Sequence, residues 1–128
     1  MLTEKDYCDY DTCVALKELG YDGCPWECSC FGAYYRNEED VFYDRLFNSE
    51  LREDEYLRVP LYLAQKLLRE NHYLHITIFS SSQESWMYRI TKPHQKLEEG
   101  MYGEDFTSYE ETLLEGIKEA IKILKENN

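Results

Sequence analysis

The chain holds 128 residues, with 14 Lys and Arg against 26 Asp and Glu and a formal net charge of −12. That balance repels nucleic-acid phosphates and anionic membranes unless the few bases cluster. It favours solubility, cations or a basic protein partner.

The length is that of one ordinary domain. With 43% hydrophobic and 15% aromatic residues, the chain can fill a core without disulfides or metal. The reading is a single acidic domain over residues 1–128. The opening stretch Met1 to Asp6 is charged and lacks the basic-then-apolar order of a signal peptide. No apolar run approaches the roughly 20 residues of a membrane span, so a cytoplasmic setting is expected. The five cysteines, Cys8, Cys13, Cys24, Cys28 and Cys30, are an odd number and point to reduced thiols.

Asp9 to Leu19 predicts a short helix, with Asp9 or Asp11 as its cap and Gly20 as a left-handed stop. Trp26 to Tyr35 alternates as a strand, Arg36 to Asp40 turns, and Val41 to Phe47 returns. Asn48 to Tyr56 is acidic and polar and reads as an exposed loop. Pro60 opens a second helix with Leu61, Ala64, Leu67 and Leu68 as its apolar stripe, and Asn71 can stop it.

His72 to Phe79 and Trp86 to Thr91 predict antiparallel strands, with Leu74, Ile76 and Ile78 on one face and Trp86, Tyr88 and Ile90 together on the other strand. Lys92 to Asp105 reads as a loop. The last helix starts at Thr107 or Ser108 and runs to Lys125, with two candidate capping boxes, Thr107-x-x-Glu110 and Ser108-x-x-Glu111. The expected order is α-β-β-α-β-β-α. The expected class is α+β, an antiparallel sheet with helices packed on one face.

Three stretches carry a resemblance. Thr12-Cys13-Val14-Ala15-Leu16-Lys17-Glu18-Leu19-Gly20-Tyr21 looks like an early "A-x-L-L-K-E-K-G-F" element. Val59-Pro60 followed by Ala64 to Ile76 is similar to a "K-W-L-R-E-x-x-x-L-H-I" element, with Leu67 where the pattern has Trp. Ser108 to Ile117 resembles a closing "S-Y-E-E-A-L-E-A-G-I" helix. Together they resemble a family of small uncharacterised proteins of gut Bacteroidetes and their phages and mobile elements. The resemblance implies that setting and names no catalytic residue.

Chemistry-bearing residues give few leads. Cys24, Cys28 and Cys30, with Cys8 and Cys13 upstream, are the best candidate metal ligands, since thiolates suit zinc. Paired C-x2-C knuckles are absent, however, and buried small hydrophobes are the plainer reading. His72 and His75 would face opposite sides of a strand, and His94 stands alone.

The carboxylate runs Glu38 to Asp40, Glu53 to Glu55, Glu98-Glu99 and Glu104-Asp105 read as solvated faces. The sequence holds no phosphate loop, dinucleotide fingerprint, nucleophile elbow or calcium loop, and no cofactor is expected.

Twelve tyrosines stand out. Tyr34, Tyr35, Tyr43, Tyr73 and Tyr88 fall on predicted strands and are candidate interface residues, because tyrosine is apolar along its ring and polar at its tip.

The leading expectation is a non-enzymatic interaction protein that binds another protein or a second copy of itself, in a phage or mobile-element setting. A sharper version has the acidic surface mimic DNA in a basic groove. The alternative is a small metal protein or enzyme using the cysteines or carboxylates. Direct nucleic-acid binding, through bases such as Lys66, Arg69, Lys92 and Lys96, ranks last.

Overall fold

The computed structural model describes residues 4–23, 33–43, 47–80, 85–92 and 101–126, the stretch 101–105 by its backbone alone. The chain divides into two compact units, Met1–Leu63 and Ala64–Asn128. Among the described residues there are three α-helices and two small antiparallel sheets, an α+β fold.

In the first unit a 3-10 turn at Glu4–Asp6 precedes helix α1, Tyr10–Glu18. The Asp9 side chain caps α1 by accepting the Thr12 N–H at 3.0 Å. Gly20, at φ +95°, ends it. There the Gly20 N–H donates to the Lys17 carbonyl and the Tyr21 N–H to the Leu16 carbonyl, both at 3.0 Å, which is the glycine stop the sequence predicts.

Strands β1, Tyr34–Tyr35, β2, Val41–Phe42, and β3, Tyr56–Leu57, form a sheet in the order β2-β1-β3. The β1–β2 hairpin falls within the one expected from sequence and turns where expected, though residues 26–32 and 44–46 of the two expected strands lie outside the described residues. Asn37 folds its turn by accepting the N–H groups of Glu39 and Asp40, each at 2.9 Å. Helix α1 packs on β3 and buries Cys13 and Leu16.

The stretch read as an exposed loop is tied down at three points. It begins with a 3-10 turn at Asn48–Glu50. Asn48 and Glu55 are buried, and Lys17 Nζ donates to the carbonyls of Arg52 and Glu55, both at 2.8 Å. The residues are polar as the sequence says, yet each buried polar group has a partner and can leave water.

Helix α2, Leu61–His72, spans the boundary between the units. It runs one residue past Asn71 and closes where Tyr73 takes a left-handed backbone, φ +58°, with the Leu74 N–H donating to the Leu68 carbonyl at 3.1 Å. A side chain with a Cβ is strained there by about 1–2 kcal/mol. Tyr73 is also 64% exposed, so little packing offsets the strain. Tyr73→Gly is therefore expected to raise stability by about 1 kcal/mol in urea unfolding. A loss instead would mean that the ring contributes packing its exposure does not reveal.

The second unit places β4, His75–Ser80, beside β5, Trp86–Thr91, and β5 beside β6, Met101–Phe106. Ile76 faces Ile90 and Ile78 faces Tyr88, so the predicted apolar faces coincide. Helix α3, Tyr109–Glu126, packs on this sheet. Ser108 caps its start with one of the two bonds of the second expected capping box: Ser108 Oγ accepts the Glu111 N–H at 3.1 Å, while the Thr107 hydroxyl donates to the Glu111 carboxylate at 2.6 Å.

Strand β6 occupies part of the stretch expected as a loop. Its backbone pairs with β5 around an irregular register between Trp86 and Tyr88. Among the described residues, no helix is long and apolar enough to cross a membrane.

Candidate functional site

The most distinctive surface lies on the first unit. An isolated antiparallel bridge joins Tyr7 to Pro60, two residues before Tyr62 in the first turn of α2. The guanidinium of Arg58 lies over the Tyr7 ring, 4.1 Å from its centroid, and pairs with the Glu4 carboxylate.

Arg58 is only 8% exposed. Burial works against its charge, but Glu4 and Tyr35 hold it, and its pKa ends above the ordinary arginine value. Burial also raises the Tyr7 pKa. Arg58 opposes that rise, and the nearby Tyr43, Tyr62 and Glu4 add to it. Tyr43 is 60% exposed and Tyr62 41%. Tyr43 and Tyr62 are thus open to water, while the Arg58 guanidinium is seated on Tyr7.

Other cations of this unit sit on rings as well. Arg36 lies over Phe42 at 4.8 Å and pairs with Glu55 at 3.5 Å. Lys17 lies over Tyr56 at 5.2 Å while donating to its two carbonyls. The charge is uneven along the chain. Residues 1–63 carry 15 acidic and 6 basic side chains, and residues 64–128 carry 11 and 8.

In the second unit, Tyr73 and Tyr109 are exposed. Tyr109 meets Trp86 edge to face at 5.7 Å.

The five candidate tyrosines fall into different environments. Tyr43 and Tyr73 are exposed and Tyr34 is half-buried, with its ring tilted against Phe42. Tyr35 is buried and meets Tyr10 edge to face at 5.3 Å. Tyr88 is buried and stacks on Phe106 at 5.9 Å.

Sequence reasoning did not single out Tyr62, Phe42 or Arg58. Tyr62 had a readable signal, an aromatic off the apolar stripe of an amphipathic helix. Nothing in the sequence marks Arg58 as a buried cation.

Of the cysteines, Cys24, Cys28 and Cys30 lie outside the described residues. Cys8 and Cys13 are buried, each 1% exposed. The Val59 N–H donates to Cys13 Sγ at 3.5 Å, and that thiol reaches the Cys8 carbonyl at 3.8 Å. Burial pushes the Cys13 thiol from the ordinary 9.0 up to about 12, against the smaller pull of the Val59 N–H. A thiol held neutral is a poor nucleophile.

Because the folded pKa is raised, the stability it confers is fully present below pH 9 and is lost as pH climbs towards 12. Native protein treated with iodoacetamide at pH 8 should leave Cys13 unmodified by peptide mass mapping, and unfolding in guanidinium should expose it. Equal labelling in both states would contradict the buried thiol.

His72 ends α2 and His75 begins β4, both half-buried, and His94 lies outside the described residues. Among the described residues, no group of three or more His, Cys, Asp or Glu side chains is placed to hold a metal ion. Compared with protein-family models, curated proteins and solved structures, the chain matches none.

Proposed function

We propose that this chain is a protein-interaction module that contacts its partner through exposed tyrosines. The observation that carries the reading is the exposure of Tyr43, Tyr62 and Tyr73 in a chain that buries other tyrosines readily. Water-facing aromatic side chains are enriched where proteins meet, because a rigid ring buries much area at little entropic cost and the hydroxyl keeps a hydrogen bond.

The strained backbone at Tyr73 supports the same reading, since unoffset strain at an exposed residue is a feature of functional positions. The net charge of −12 sets like-charged copies against one another and favours a heterologous partner. A gut Bacteroidetes phage or mobile-element setting rests on the three-motif resemblance.

The test compares tagged wild type with a Tyr43→Ser/Tyr62→Ser/Tyr73→Ser variant as bait in a gut Bacteroidetes lysate, with retained proteins quantified by mass spectrometry. The wild type should retain a discrete partner at least about tenfold over the variant, a difference of ~1.4 kcal/mol. Identical profiles from two equally folded baits would overturn the reading.

A further inference from the structure

We propose that the Tyr7–Tyr43–Tyr62 surface of the first unit binds an arginine-bearing segment of the partner protein, an inference that rests on the interaction reading above. The unit itself displays the chemistry. Arg58, itself buried, sits 4.1 Å over Tyr7 with Glu4 as counter-charge, so the unit already holds one guanidinium against a ring beside a carboxylate. Arg36 over Phe42 repeats the arrangement at the sheet edge.

Tyr43 follows Phe42, which pairs with Tyr34 next to the Ala33 whose carbonyl accepts the Arg58 N–H, and Tyr62 lies two residues past the Tyr7–Pro60 bridge; their rings are 60% and 41% exposed. Aromatic faces attract cations through the ring quadrupole.

Charge selects the occupant. Among the described bases of residues 1–63, Arg58 is engaged with Glu4, Arg36 with Glu55 and Lys17 with two carbonyls. The 15 acids far outnumber them, so an incoming cation meets an attractive field. An anionic ligand would be repelled, and a second copy would bring the same excess of acid. Arginine is favoured over lysine because its guanidinium is planar, weakly hydrated and stacks on rings while its edge still bonds carboxylates.

The probe is a labelled peptide, Gly-Arg-Gly-Arg-Gly-Arg-Gly, measured by fluorescence anisotropy at physiological salt against its Lys and Glu counterparts. The full chain is compared with its Tyr43→Ser/Tyr62→Ser variant, which changes no charge, and circular dichroism checks that both are folded. The Arg peptide should bind several-fold tighter than the Lys peptide, and the variant should bind it about tenfold more weakly, ~1.4 kcal/mol. The Glu peptide should not bind.

Equal affinity for Arg and Lys peptides, equal affinity of wild type and variant, or no binding of the Arg peptide would each overturn the proposal. The lysate comparison separates this failure from that of the broader reading. A tyrosine-dependent partner there, with no Arg-peptide binding here, removes only the partner chemistry. Identical lysate profiles remove both.

Discussion

Asn48→Ala should destabilise the protein by about 3 kcal/mol, because it strands two buried backbone groups at once. The Asn48 amide donates to the Tyr21 carbonyl at 2.7 Å, and its oxygen accepts the Leu57 N–H at 2.9 Å. The residue is only 5% exposed, so water does not readily replace either bond. One side chain thus ties the segment after α1 to β3, and its loss leaves a buried donor and a buried acceptor, each costing roughly 1–3 kcal/mol. Urea unfolding would read the effect as a lower midpoint with an unchanged slope.

Asn48→Asp tests the direction of the bonds. An ionised carboxylate keeps the acceptor for Leu57 but turns a negative oxygen towards the Tyr21 carbonyl. A protonated one can donate to that carbonyl again. The folded state should therefore raise this acid above the ordinary aspartate value of about 3.9. The deficit relative to wild type should be smallest below that pH and grow as pH rises. A deficit that shrank with rising pH would refute the assigned bonds.

Asn48 also marks where the sequence stopped being legible. Patterns that repeat were readable: the apolar stripe of α3, the alternation of β4 and β5, the Asp9 cap and the Gly20 stop each express a local rule of period or backbone. The buried polar residues Asn48, Glu55 and Arg58 were not, because what makes each tolerable is a partner many positions away, as Glu4 is for Arg58. Strand β3 holds two residues, too few to show a period, and β6 is an edge strand held by backbone pairing with β5. The same limit applies to the tyrosines. Strand alternation assigns a ring to a face but does not say which face another element covers, so Tyr88 beneath α3 and Tyr43 in water looked alike.

Gly116→Ala should lower stability by about 2 kcal/mol although alanine is the better helix former. Glycine in mid-helix ordinarily costs ~1 kcal/mol relative to alanine, so its place in the middle of α3 calls for a packing reason. A Cβ built there would lie 2.9 Å from Ile76 Cγ2 and 3.3 Å from Tyr88 Cγ. Both neighbours are buried residues of the central sheet pair, facing the helix from β4 and β5. Neither is a flexible tip that can swing aside, and overpacking of a closed core costs up to ~3 kcal/mol. The helix gain of ~1 kcal/mol offsets only part of that.

A double-mutant cycle separates the two effects. Ile76→Ala removes the methyl at 2.9 Å and is destabilising by itself. In that background Gly116→Ala should become neutral or stabilising, a coupling of about 2 kcal/mol. Additive effects would show that α3 does not approach the sheet as closely as Gly116 allows.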